Sequence, residues 1–207
     1  MPSSLGYVVD AAIYAAVGGA IALPLIRLNI RIAPKLGLID WPKARGIAEE
    51  QVPIVGHSLV IVTLAAIVAI AQFFPISPWF LTTSIVMAAM GHWDDRKPLP
   101  PLDKFFFQSV CVLSVIYLDP FIYASMIERY GTFGALGAAF FLLGLVNAVN
   151  FIDGIDGLAG IVLIVGSAGY MLLSKGALGL YGYSAVAAVI IGAMVPFLYF
   201  NVVHRKG

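Results

Sequence analysis

The stretch LGLYGYSAVAAVIIGAMVPFLYFNVV, Leu178–Val203, contains no Asp, Glu, Lys, Arg or His. A helix needs about 20 apolar residues to cross the hydrocarbon of a bilayer. Inside lipid only a segment that satisfies its own backbone hydrogen bonds can make the crossing. The stretch therefore predicts a membrane-spanning helix. Six further apolar runs precede it: Leu5–Leu28, His57–Phe74, Trp79–Gly91, Phe105–Leu118, Phe133–Asn150 and Leu158–Ser174. The third is short and follows Pro75 and Pro78, which open it at a turn and leave a tilted or re-entrant course available to it. Glycines recur along the last three runs, among them Gly137, Gly144, Gly160, Gly166 and Gly192, as close helix approach in lipid requires.

Composition leads to the same class from the other side. The chain is 61% hydrophobic and 11% charged, against about 25% charged residues in soluble domains. Its charges come in short bursts between the apolar runs. A net charge of +1 and the absence of a Lys/Arg-rich tract exclude a nucleic-acid partner. The single cysteine, Cys111, reads as a small hydrophobe. The N-terminus lacks the basic flank and cleavage site of a signal peptide, so Leu5 onward reads as a retained first span. Without internal repeats, residues 1–207 read as one transmembrane domain. The expected fold is all-α, a polytopic membrane helix bundle of about seven transmembrane helices. Of the twelve Lys and Arg residues, only Arg129 and Lys175 fall in outer loops if the N-terminus lies outside. That bias predicts an outside N-terminus and a cytoplasmic C-terminus.

Most of the acids gather on the same predicted face, although the positive-inside rule does not sort acids. Two clusters stand out: Gly91-His-Trp-Asp-Asp-Arg96 and Asn147-Ala-Val-Asn-Phe-Ile-Asp-Gly-Ile-Asp-Gly-Leu-Ala-Gly160. Adjacent Asp94 and Asp95 repel each other unless they share a cation or a proton. They read either as a hard-metal site or as a charged stop at a helix end. In the second cluster Asn147 and Asn150 share a helix face. Asp153 and Asp156 follow in a turn, with Gly154 and Gly157 permitting close backbone approach to a ligand or ion.

These residues resemble the polyprenyl-phosphate N-acetylhexosamine-1-phosphate transferase family, the glycosyltransferase 4 group. The run Asn147 to Gly160 is similar to its Asn-x-x-Asn-x-x-Asp-Gly-x-Asp-Gly-Leu motif. Asp94-Asp95-Arg96, followed by Lys104-x-x-x-Gln108, resembles its aspartate-rich motif. The stretch Asp40-x-Pro42…Arg45…Pro53-x-x-Gly56 is similar to its first cytoplasmic loop, with Ala48 and His57 standing where members usually have histidine and glycine.

The resemblance implies transfer of a sugar-1-phosphate from a UDP-N-acetylhexosamine to polyprenyl phosphate (undecaprenyl phosphate), releasing UMP, with Mg²⁺ as cofactor. This chemistry serves lipid intermediates of cell wall or lipopolysaccharide biosynthesis. It also implies roles. Asp94 and Asp95 would orient or deprotonate the lipid phosphate. Asp153 and Asp156 would hold the nucleotide diphosphate and metal, with all four aspartates candidate metal ligands. Asn147, Asn150, Gln108, Gly154 and Gly157 would line the substrate site. Arg96 and Lys104 would contact phosphate, a role that competes with positive-inside anchoring. Partners are then these two substrates and membrane lipid, and a homodimer is the assembly to test. Members of the family have about ten or eleven spans and a third acidic motif soon after the Phe-Asn seen here as Phe200-Asn201. The chain is accordingly expected to represent the N-terminal two thirds of the family fold.

Two other classes compete. A coupled transporter would carry ionisable residues near the bilayer midplane, whereas here they lie near the ends of the runs. A catalytically inactive membrane fragment that binds lipid phosphate or a partner chain is the alternative to an active enzyme.

Overall fold

The computed structural model describes residues 4–37, 39–40, 52–53, 56–153, 157–174 and 181–203. It is an all-α helix bundle. Its elements are α1 (Ser4–Ile32) with a 3₁₀ turn (Ala33–Leu36), α2 (Gly56–Ile70), α3 (Pro78–Arg96), α4 (Pro101–Leu118), a short α5 (Pro120–Tyr123), α6 (Arg129–Ile152), α7 (Leu158–Leu173) and α8 (Tyr181–Leu198). Single π turns lead into α6 (Ala124–Glu128) and extend α8 (Tyr199–Val203). A minimal antiparallel pair, β1 (Ile39–Asp40) with β2 (Val52–Pro53), sets Ile39 opposite Pro53 and Asp40 opposite Val52. Pro42, Arg45 and Ala48 lie outside the described residues.

Four stretches among the described residues are long and apolar enough to cross a membrane: Gly6–Leu36, Pro101–Leu118, Met126–Ile152 and Tyr181–Val203. Helices α2 and α7 are apolar but shorter, at 15 and 16 residues.

The chain forms two compact units, Met1–Pro75 with Ile155–Gly207, and Ile76–Gly154. In the first, α8 packs against α1, α2 and α7. Small residues make this possible. A Cβ on Gly192 would fall 1.8 Å from the Ala15 carbonyl oxygen, and one on Gly18 would fall 2.3 Å from that of Val189. The two backbones therefore touch where a soluble core would interpose side chains. Such contact suits lipid, where dispersion and hydrogen bonds rather than hydrophobic burial hold helices together. Polar clasps reinforce it. Tyr181 donates to the Asp10 carboxylate at 2.5 Å and Tyr7 to the Met171 carbonyl at 2.9 Å. The buried hydroxyls of Ser174 and Ser184 meet at 2.6 Å. Between α1 and α2, the Asn29 amide donates to Ser58, whose hydroxyl donates to the Leu25 carbonyl.

The second unit is built by prolines at helix starts. Ser77 accepts from the N–H groups of Trp79 and Phe80, and Pro78 fills the first helical position of α3. Pro101 does the same for α4. Proline suits this position because its missing N–H would have no intrahelical partner there. Asp119, buried, caps α5 by accepting from Ile122 N–H at 2.9 Å. The core of the unit joins Val112 and Ile116 of α4 to Ala135 and Ala139 of α6.

The helices outrun the apolar stretches that announce them. Helix α3 continues past Gly91 to Arg96, and α4 begins at Pro101 rather than Phe105. Hydropathy marks the hydrocarbon, but helical hydrogen bonding continues into the polar interface. Asp94, Asp95 and Lys104 are therefore helical residues with defined faces.

Candidate active site

Helix α3 ends on two carboxylates, an arrangement its dipole opposes because the C-terminal turn carries partial negative charge. Two groups offset the cost at Asp94. Lys104 Nζ lies 2.5 Å from Asp94 Oδ2, with both side chains mostly shielded from solvent. The N–H of Leu99 donates to Asp94 Oδ1 at 2.8 Å. The linking sequence Lys97-Pro-Leu-Pro-Pro101 explains the second bond. Three of its residues are prolines without an N–H, so Leu99 offers the one amide hydrogen between Lys97 and Leu102, and that hydrogen closes onto Asp94.

Lys104 and Gln108 are four apart on α4 and so share a face. Lys104 reaches α3, and Gln108 reaches α6. Gln108 is buried at 3% exposure, and its Oε1 accepts from Asn147 Nδ2 at 2.8 Å. The same Asn147 amide group donates to the carbonyl of Leu143 on its own helix, also at 2.8 Å. One turn of α4 thus ties the aspartate-rich end of α3 to the asparagine-bearing end of α6. Four of the residues singled out from sequence, Asp94, Lys104, Gln108 and Asn147, meet here as two linked pairs.

The remaining candidates are placed as follows. Asp95 and Arg96 are exposed on the last turn of α3, and Asn150 is exposed on α6. Asp153 closes α6, its N–H bonded to Val149 O at 3.1 Å and its side chain exposed. Gly154 and Asp156 lie outside the described residues. Gly157 belongs to the other unit and starts α7 with φ +75°. Among the described residues no three His, Cys, Asp or Glu side chains stand close enough to share a metal ion.

Chemically, the α4 face presents an ammonium held by a carboxylate. Lysine has three N–H donors, so the bond to Asp94 leaves donors for an anion. One participant carries no side-chain signal in the sequence. The Leu99 amide is a backbone group, recognisable only by noticing that its neighbours are prolines.

Residues 77–206 match the family described as Glycosyl transferase family 4. The matched span opens at the Ser77 cap of α3 and contains both acidic clusters. The chain belongs to glycosyl transferase family 4. Comparison with curated proteins returns no match. As a family 4 protein it is a multi-pass membrane transferase, and the family's reaction moves a phospho-sugar from a nucleotide-sugar to a polyprenyl phosphate. The helices α3, α4 and α6, which hold the two linked pairs, lie entirely within the match.

Proposed function

We propose that this transferase moves N-acetylhexosamine-1-phosphate from a UDP-sugar to undecaprenyl phosphate on the cytoplasmic face of the inner membrane, for cell-wall or surface-polysaccharide lipid intermediates. The observation that carries the reading is the α4 turn that gathers Asp94, Lys104, Gln108 and Asn147 from both acidic motifs. A lipid-phosphate oxygen attacks the β-phosphorus of the UDP-sugar. The bond from that phosphorus to the bridging oxygen breaks, and the electron pair leaves on UMP. Lys104 supplies positive charge to a phosphate oxygen, and Asp94 fixes its ammonium in place. Gln108 and the Leu143 carbonyl hold Asn147 by its NH₂ group, and its amide oxygen would accept from the substrate.

The aspartates fit Mg²⁺ by donor type, since it takes hard oxygen ligands and commonly only one or two carboxylates alongside water and substrate phosphates. Asp94, Asp95 and Asp153, all of the second unit, are the described residues from which its one or two carboxylates would come. When bound, Mg²⁺ neutralises charge on the transferring phosphoryl and leaving groups. The protein's own part is to deliver and orient the two anions, an effect that accounts for several kcal/mol of many barriers.

Membranes containing the protein should exchange radiolabelled UMP into a UDP-N-acetylhexosamine, with exchange abolished by EDTA and restored by Mg²⁺. Exchange that proceeds equally in EDTA would remove the metal from the proposal. Absence of exchange with every UDP-sugar offered would remove the nucleotide. The proposed orientation has its own check. A cysteine at position 96, at the exposed end of α3, should react with an impermeant maleimide only from the cytoplasmic side. Labelling from the outside reverses the assignment of faces.

A further inference from the structure

Asn201 has no role in what has been derived so far, yet its side chain makes a long-range bond to the second acidic motif. Its Oδ1 accepts from the backbone N–H of Gly157 at 2.7 Å. Both residues belong to the unit formed by Met1–Pro75 and Ile155–Gly207. The local geometry is specific. Gly157 is buried with φ +75°, a conformation that L side chains rarely adopt. A Cβ there would also fall 2.8 Å from Val202 Cγ2. Gly157 has no side chain with which to cap α7, so Asn201 supplies an acceptor to the start of that helix from another segment.

Asn201 sits in the π turn Tyr199–Val203 that extends α8. A π turn widens the helix by one residue and re-aims the side chains that follow, and such turns recur at functional sites. Here the Asn201 side chain reaches the backbone N–H of Gly157. Fixing that N–H limits the freedom of the chain where α7 begins.

We infer that Asn201 is a positioning residue for the transfer reaction, acting through the Gly157 amide to hold the Gly157 end of the motif in register. The inference rests on the transferase reading above. Removing the acceptor leaves a buried N–H without its partner and lets the turn shift. A small displacement of a positioned group costs up to about 100-fold in rate.

The test compares Asn201→Leu, Asn201→Asp and Val202→Ala in membranes that support UMP exchange, with hydrogen exchange of the peptide spanning Gly157 read in parallel. Asn201→Leu removes the acceptor at similar size. It should lower kcat for exchange by roughly 10- to 100-fold, speed hydrogen exchange at Gly157, and leave the protein folded in the membrane. Asn201→Asp keeps an acceptor oxygen. It should retain protection at Gly157 and recover part of the lost rate. Val202→Ala removes packing but no acceptor, and should exchange UMP at the parental rate. A parental rate in Asn201→Leu, or equal losses in the Leu and Asp variants with protection unchanged, overturns the inference while leaving the transferase reading intact. If the parental protein itself exchanges no UMP, the transferase reading fails and takes this inference with it.

Discussion

Asp94→Asn should lower UMP exchange by two to three orders of magnitude while the protein stays folded in the membrane. The expectation comes from what Asp94 holds. Its two oxygens meet Lys104 Nζ at 2.5 Å and Leu99 N–H at 2.8 Å. An asparagine presents one oxygen and one NH₂. The oxygen can keep the bond to Leu99, so the turn after α3 survives, but the charge that restrains Lys104 is gone. A phosphate-binding ammonium without its anchor stays attractive to anions and loses its aim. Loss of one preorganised donor aimed at developing charge costs about 10² to 10³ in kcat, and a proposed metal ligand disappears in the same substitution. The partner variant separates the two contributions. Lys104→Met should also be slow. If the pair acts as one device, the double variant should be little worse than either single one, since groups that work as a unit are non-additive. Multiplicative losses would mean that Asp94 acts mainly on metal or lipid phosphate and that its bond to Lys104 is incidental. A parental rate in Asp94→Asn would reduce the pair to a charged helix end.

How far the sequence could be read depended on whether a residue's task lies in its side chain or in its surroundings. The apolar stretch Leu178–Val203 announced a spanning helix, and α8 is the helix on which α1, α2 and α7 pack. Its Gly192 already pointed to close contact. What the stretch could not name was the opposite surface, Ala15 to Gly19 of α1, because helix pairing depends on three-dimensional register. Helix ends were also beyond hydropathy. The end of α3 at Arg96 follows from the proline-rich link that stops it, and not from any change in apolar character. In the candidate site, Asp94, Lys104, Gln108 and Asn147 were legible as motif residues, but their pairing was not. It arises because α4 turns Lys104 toward α3 and Gln108 toward α6. Asn201 was visible only as a landmark. Its bond to Gly157 requires the π turn, and no composition or spacing rule announces one. Gly157 was read as a point of close approach for a ligand, and in the folded chain the closest approach is that of Asn201 and Val202.

Gly192→Ala should sharply reduce the yield of folded protein, and Gly192→Val should abolish it. An added Cβ would lie 1.8 Å from Ala15 O, 2.5 Å from Ala15 C and 2.8 Å from Ala15 Cα. All three are backbone atoms of α1, so no side chain can rotate out of the way. The two helices must separate, which also disturbs Gly18 and Gly19, whose own Cβ positions face the backbone of Val189 and Gly192. Overpacking in a soluble core costs about 1–3 kcal/mol. Here the helices part more readily, because lipid tails solvate the separated apolar surfaces as well as the partner helix did. Detergent-solubilised protein measured by size-exclusion yield and melting temperature checks the expectation. Gly137→Ala is the control, since nothing lies within 4 Å of a Cβ at that position, and alanine favours the helix by about 1 kcal/mol; it should be neutral or stabilising. Because α8 also carries Asn201, Gly192→Ala should lose exchange activity only in proportion to the folded fraction, whereas Asn201→Leu should lose activity without losing fold. If Gly192→Ala melts at the parental temperature, α1 and α8 do not meet at Ala15, and the packing of the first unit must be rebuilt around another contact.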